Sequence, residues 1–280
     1  MTRIKKPLIV LSMLAIVLLL AFYNGLVTRN YSLLTDKLAS GDSVRIILIA
    51  DLHNHIYREN QSELVALIEE QNPDLIALAG DIADDQVPIA GTEQLLDGIK
   101  DLAPIYYVSG NHEFWSDDIE NIKAVIRRYG VTVLENTYDT ITIKNTPVTI
   151  AGVDDPEVVA YEKPWFNWEQ EMLEAFADLQ DKPEFTILLA HRPERIQLYK
   201  KMDFDLVLSG HAHGGQVRIP LLLNGLYSPN QGWFPEYAGG SYKHDSLTQI
   251  VSRGLSYNPR LPRIFNPPEI VVIDLEAPPE

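Results

Sequence analysis

Apolar and polar positions alternate along this chain in two rhythms. Residues 44–50 form a near-continuous apolar run of the kind that makes a buried strand, and residues 62–71 then carry Leu64, Leu67 and Ile68 on one helical face. The pair of patterns recurs. Residues 75–79 and 105–108 read as buried strands, with amphipathic helices over 92–102 and 117–129. Such alternation predicts an α/β architecture. From 132 to 153 the chain is rich in β-branched residues, with turn-like Asn136 and Asn145-Thr146-Pro147, which predicts antiparallel strands of a second sheet. Residues 167–180 then read as a helix. Further strands are expected at 186–189, 206–208, 217–219 and 270–273, while 220–244 is a long irregular stretch with many Gly and Pro. No internal repeat or low-complexity tract is visible.

The N-terminal segment follows neither rhythm. Residues 8–23 are apolar except for Ser12 and Tyr23, and they follow Arg3, Lys5 and Lys6. Continued through Leu26 and Val27, the run reaches the ~20 residues a helix needs to cross a bilayer. A cleaved signal peptide would show small residues before its cleavage site, whereas Ala21 is followed by Phe22, Tyr23 and Asn24. The expectation is therefore one uncleaved transmembrane helix within an anchor at 1–30, a linker at 31–43, and a globular domain at 44–280. With the basic residues first, the positive-inside rule leaves the N-terminus in the cytoplasm and the domain on the non-cytoplasmic side of the cell membrane.

Charge and composition narrow the chemistry. With 23 Lys and Arg against 39 Asp and Glu, the formal charge of −16 repels a polyanion, so nucleic-acid binding is not expected. Any phosphate-bearing substrate then needs a local positive centre, for which bound divalent metal is the simplest source. The absence of cysteine excludes disulfides, thiolate metal sites and a Cys nucleophile.

Potential metal ligands cluster just after the expected strands, where α/β sheets build sites. They are Asp51-Leu52-His53, Gly80-Asp81, Gly110-Asn111-His112-Glu113, Ala190-His191 and Gly210-His211-Ala212-His213-Gly214-Gly215. Residues two apart on extended backbone point the same way, so Asp51 with His53, and His211 with His213, can each face one ion. Singly, each has an ordinary reading as a cap, a turn or a surface histidine. Together, five of the seven histidines at post-strand positions are poorly explained by chance.

In order, these five motifs resemble those of the calcineurin-like metallophosphoesterases, over roughly residues 44–275. The extensions His211-Ala212-His213-Gly214-Gly215-Gln216 and Pro267-Pro268-Glu269-Ile270 are similar to the membrane-anchored bacterial phosphodiesterase branch, some of whose members hydrolyse lipid-linked pyrophosphates such as UDP-diacylglucosamine. The resemblance implies a sandwich of two packed mixed β-sheets flanked by helices. It implies two divalent ions (Mn, Fe or Zn), with Asp51, His53 and His213 on one, Asn111, His191 and His211 on the other, and Asp81 bridging. His112 would face the substrate and stabilise the phosphoryl group or protonate the departing oxygen. The implied reaction is attack of a metal-bridging hydroxide on the phosphorus of a phosphodiester or pyrophosphate, in a substrate that an anchored enzyme meets at the bilayer.

Other residues invite assignment. His55 reads as a solvated loop residue, and Asp84 and Asp85 as the start of a helix rather than partners of the ligands. Arg192, Arg253, Arg260 and Arg263 are candidate phosphate contacts, although surface arginine is ordinary. Trp165, Phe166, Trp168, Trp233, Phe234 and Tyr237 read chiefly as core. Substrate choice is expected in the loops 154–168 and 220–244. The alternatives to a diesterase are a phosphomonoesterase and a catalytically silent scaffold. A scaffold should show an eroded ligand set, and every matched position here holds the residue that chemistry needs.

Overall fold

A computed structural model describes residues 5–162, 164–257 and 261–278. Its strands are β1 (Val27–Leu34), β2 (Ser43–Ile49), β3 (Leu75–Ala79), β4 (Ile105–Val108), β5 (Thr132–Val133), β6 (Thr137–Ile143), β7 (Thr146–Gly152), β8 (Phe185–Leu189), β9 (Leu206–Ser209), β10 (Tyr227–Ser228), β11 (Gly232–Trp233), β12 (Gly240–His244), β13 (Leu247–Val251) and β14 (Glu269–Glu276). They make two six-stranded mixed sheets, ordered β1-β14-β2-β3-β4-β5 and β12-β13-β9-β8-β7-β6, with β10 and β11 as a separate small ribbon. This is the two-sheet α/β sandwich expected from the resemblance.

Strand alternation divides the core into three layers. On β2, Ile46 and Leu48 point between the sheets to meet Ile150, Ile187 and Leu208. Ile47 and Ile49, one residue out of phase, point outward to Leu64 and Ile68 of helix α2 (Ser62–Glu69) and Leu95 and Ile99 of helix α3 (Ala90–Ile99), as period-two geometry requires. The outer face of the second sheet packs against Trp168, Met172 and Phe176, on and just after the helix Trp168–Ala175. Both faces of β2, β3, β8 and β9 are thus buried. That is why these strands read as unbroken apolar runs in the sequence.

The N-terminal helix α1 spans Lys5–Ala21, 17 residues whose apolar side chains from Leu8 to Leu20 are exposed. At 1.5 Å per residue it is about 25 Å long, against roughly 30 Å of bilayer core. Among the described residues no helix is long and apolar enough to cross a membrane, so the spanning helix expected to run on to Val27 is corrected. The physical reason is β1. Val27 pairs with Glu269, and the strand runs in register to Leu34 opposite Glu276, so backbone expected in the helix end and the linker is committed to a sheet edge. Its alternation VTRNYSLL is too polar to have marked it as a strand. Two smaller corrections follow. Residues 217–219 make only the isolated bridges Val217 to Ile264 and Ile219 to Leu223, and the stretch 220–244 contains β12, which pairs antiparallel with β13.

Candidate metal centre

Every expected ligand lies on a loop leaving the carboxyl end of a strand. Asp51 and His53 follow β2, Asp81 follows β3, and Asn111 opens helix α4 (Asn111–Trp115) after β4. From the other sheet, His191 follows β8, while His211 and His213 follow β9. The two sheets therefore contribute opposite walls of one site. Its cavity has a volume of about 650 Å³ and is lined by Asp81, Asn111, His53, His112, His211 and His213 among others.

Of three groups whose ligand atoms all lie within 4.8 Å of one another, one is His53, Asp84 and His112, and two are more buried: Asp51, His53, Asp81 and His213, and Asp81, His191 and His211. Asp81 is common to both. His213 Nε2 lies 3.5 Å from Asp51 Oδ1, His53 Nε2 lies 3.7 Å from Asp81 Oδ2, and His191 Nε2 approaches the same oxygen to 3.1 Å without hydrogen-bond alignment. His53 Nε2, His191 Nε2 and Asn111 Oδ1 are buried and have no hydrogen-bond partner. Buried polar atoms rarely go unpaired. Two of the three, His53 Nε2 and His191 Nε2, belong to the groups around the buried Asp81 carboxylate, and imidazole with carboxylate is a donor set for a hard or borderline divalent cation, so the residues fit a metal site.

The ring orientations are held from behind. His191 Nδ1 donates to Ala79 O at 2.8 Å, and His53 Nδ1 meets Asp84 Oδ2 at 3.0 Å, which turns each Nε2 inward. Such outer partners set the tautomer of a ligating histidine. Convergence does not come from extended backbone, contrary to expectation. Asp51, His53, Asp81, His211 and His213 all have φ between 47° and 68°, the left-handed region in which non-glycine residues are strained. Successive tight turns, not strand alternation, bring Asp51 to His53 and His211 to His213. Neighbouring glycines make room for them. A Cβ on Gly110 would sit 2.2 Å from Asp81 Oδ1, and one on Gly210 2.7 Å from Asp51 Oδ2.

Burial and mutual charge shift the protons within the cluster. Burial disfavours charge on His191, but Asp81 and then Asp51 overrule it and raise the imidazolium to about 10. Burial would raise Asp81 too, yet His191, His53 and His112 hold its carboxyl well below the ordinary range. Burial dominates at Asp51, which is raised, and at His211 and His213, which are held well below the usual imidazole value.

With this geometry in hand, resemblance to known proteins becomes informative. Residues 44–215 match the family described as calcineurin-like phosphoesterase, a span that includes every expected ligand. The chain belongs to the calcineurin-like phosphoesterases. It is 30% identical over 274 residues to an "uncharacterized metallophosphoesterase" of Aquifex aeolicus, covering 94% of this chain and 98% of that one. To a "transmembrane protein with metallophosphoesterase domain" of Danio rerio it is 27% identical over 244 residues, 84% of this chain but only 54% of the relative. The sulfate thiohydrolase SoxB of Thermus thermophilus shares the fold at a TM-score of 0.51 and 12% identity, over 76% of this chain and 52% of that one. Calcineurin-like phosphoesterases are metal-dependent, and membership makes this chain a phosphoric ester hydrolase of the α/β sandwich type.

Against that family pattern, several side chains prove more central than the sequence suggested. Asp84 and Asp85 do not start a helix. Asp84 bonds His53, and Asp85 Oδ1 lies 2.7 Å from His112 Nδ1, with Asp84 Oδ2 at 3.3 Å from the same nitrogen. The His112 backbone N–H also donates to Asp81 Oδ1 at 2.9 Å. Burial would lower the His112 imidazolium, but Asp84, Asp81 and Asp85 raise it to about 9.

Arg192 is not available to a phosphate. Its guanidinium is buried on Asp155, at 2.6 and 2.9 Å, and touches Glu157 and Asn230. Arg263 is likewise spent on the carbonyls of Ser256, Arg253 and Gly254, and Arg253 pairs with buried Glu269. Arg260 lies outside the described residues. His55 lines the cavity and stacks edge-on against Tyr57 and Tyr257, so it is a wall of the site rather than a solvated loop residue. Of the aromatics, Trp168 and Tyr237 are buried, whereas Trp165, Trp233 and Phe234 are exposed. Glu113 was legible only as the last residue of its motif, and Asn230 only as part of a Gly- and Pro-rich loop.

Proposed function

We propose that this chain hydrolyses a phosphodiester or pyrophosphate bond at a binuclear centre, with Asp51, His53 and His213 on one cation, Asn111, His191 and His211 on the other, and Asp81 shared. The observation that carries this reading is the convergence of the two ligand groups on Asp81, together with the unpartnered Nε2 atoms of His53 and His191 and the unpartnered Oδ1 of Asn111. When bound, two divalent cations supply positive charge to the phosphoryl oxygens and acidify water toward a pKa of about 7.

The chain's own residues divide the remaining work. His112 Nδ1 is committed to Asp85 and Asp84, so its Nε2 is the atom left to face a substrate and to give a proton to the departing oxygen. Asp84 supports both His53 and His112, tying the ligand and the acid to one carboxylate. Charge supports a diester over a monoester. Among the described residues lining the cavity there is no lysine or arginine, while Asp84 and Asp85 stand beside His112. A monoester dianion would meet these carboxylates with an additional negative charge, and a diester monoanion would not.

The same reading takes the site to a membrane surface. Helix α1 is apolar on all its faces, which in water leaves its flanks unpaired. Its end is tied to the rim of the site: Phe265 N–H donates to Ala21 O at 2.7 Å, and the Tyr257 hydroxyl bonds Asn24 O. Leu221 and Leu222 project fully from a tight turn whose base, Val217, bridges Ile264 beside this junction. A lipid-linked substrate and a location at a membrane surface follow as the finer reading.

The deciding experiment takes the full chain, stripped of metal and reloaded with Mn²⁺, and compares bis(4-nitrophenyl) phosphate with 4-nitrophenyl phosphate. Metal-dependent turnover favouring the diester is expected. Failure to cleave any phosphate ester, lipid extracts included, with two cations bound would overturn the proposal. Vesicle flotation and protease accessibility on intact cells test the membrane reading separately.

A further inference from the structure

His211 is oriented by the opposite nitrogen from its neighbours. In His53 and His191 it is Nδ1 that is engaged from behind, leaving Nε2 to point inward. In His211 the engaged atom is Nε2, which lies 2.9 Å from Asn230 Oδ1. The same oxygen is 2.6 Å from Arg192 Nη1.

This arrangement settles two ambiguities in sequence. A guanidinium has donors and no acceptor, so the Asn230 atom that faces it must be the carbonyl oxygen and not the amide nitrogen. An oxygen there can only accept, so a neutral His211 ring must carry its proton on Nε2. Arg192 Nη1 also aims an N–H at Nε2 from 3.2 Å, so it competes with Asn230 for this nitrogen, and the Asn230 contact at 2.9 Å is the shorter of the two. The guanidinium cannot turn away, because Asp155 grips Nε and Nη2 at 2.6 and 2.9 Å, and both side chains are buried.

From this geometry we infer that Arg192 and Asn230 are positioning residues that lock His211 in the Nε2–H tautomer, so that its Nδ1 lone pair is presented to the group formed with Asp81 and His191. The inference rests on the reading of His211 as a cation ligand. It gives the irregular stretch 220–244 a role besides substrate choice. Asn230 reaches from that stretch, between β10 and β11, to hold the second cation's ligand in its binding form. Without the amide oxygen, Arg192 Nη1 would be the nearest group to Nε2 and would donate to it, driving the proton to Nδ1 and blocking the atom meant for the ion.

The test uses the full chain with ¹⁵N-labelled histidine, Asn230→Leu, which removes the acceptor, and Asn230→Asp, which keeps an oxygen at that place. Long-range proton–nitrogen correlation on the metal-free protein reads the tautomer, and Zn²⁺ titration by calorimetry reads both sites. Wild type and Asn230→Asp should show His211 protonated on Nε2. Asn230→Leu should shift the proton to Nδ1 and weaken one of the two sites by roughly 10- to 100-fold, with the other unchanged. Protonation on Nδ1 in wild type, or an Asn230→Leu protein with wild-type tautomer and affinities, would overturn the lock. A wild-type chain with the Nε2 tautomer that binds no second Zn²⁺ would instead overturn the premise that His211 is a ligand.

Discussion

Glu113 and Asp81 are joined through the backbone: a carboxylate oxygen of Glu113 accepts the Asp81 N–H at 3.0 Å. The same buried carboxylate accepts the N–H groups of Ile82 and Ala83 at 2.8 and 3.0 Å, and of Gly110 at 2.8 Å. One side chain thus fastens the loop after β3 to the loop after β4, and with them Asp81 to Asn111. Glu113→Gln halves the accepting oxygens and turns an amide N–H toward two donors. Each unsatisfied buried donor costs roughly 1–3 kcal/mol, so a lower urea midpoint is expected, with weakened metal binding. An unchanged midpoint and unchanged Mn²⁺ affinity would show that the four contacts do not hold the loops.

Metal removal should loosen the fold as well as stop turnover. Asp51 and Asp81 are both buried and belong to one group of potential ligands with His53 and His213. A cation bound at 100 times its dissociation constant adds about 2.7 kcal/mol to the native state. Chelation should therefore lower the thermal midpoint, and Mn²⁺ should restore it. Elemental analysis is expected to find two metals per chain in wild type and at most one in Asp81→Ala. Two metals in that variant would argue against a shared ligand.

Cation affinity should rise with pH. In the free site His191 is raised to about 10, so below that pH it is protonated, whereas a ligand must present a bare nitrogen. Binding then expels a proton, and each step up in pH below about 10 lowers that cost. Calorimetry in buffers of different ionisation enthalpy should show proton release between pH 6 and 8. A pH-independent affinity with no proton released would contradict the charge coupling of His191 to Asp81.

For His112, a role in protonating the leaving oxygen predicts an effect that depends on the leaving group. His112→Gln should keep both metals, yet cut kcat by about 10²- to 10⁴-fold on an alkyl ester. With 4-nitrophenolate, which departs without a proton, the loss should be much smaller. Equal losses on both would assign His112 to binding the phosphoryl group instead.

Much of this was legible in the residue order because strands buried on both faces must be apolar throughout and because α/β sheets place loops at their carboxyl ends. β3 and β4 fall where the apolar runs predicted them, and Asp51, Asp81, Asn111, His191 and His211 all follow strands. β1 was not legible, since an edge strand pairing with β14 through its backbone needs no apolar signature. The reading of residues 8–27 as one spanning helix failed for the same reason: apolarity marks a segment as avoiding water, but partners decide where helix gives way to strand.

Alone, the sequence determined the kinds of chemistry available: acidic, cysteine-free, with carboxylates and imidazoles at turn positions and a family's motifs in order. Tertiary structure decided which atoms meet. It set Asp84 and Asp85 behind His53 and His112, turned Arg192 away from substrate onto Asp155, and brought Asn230 to His211 across 19 positions of chain. Local spacing carries no information on such contacts, because a hydrogen bond between distant loops depends on how two sheets pack, and that is fixed by the summed burial of more than sixty side chains in the three core layers rather than by any residue beside the bond.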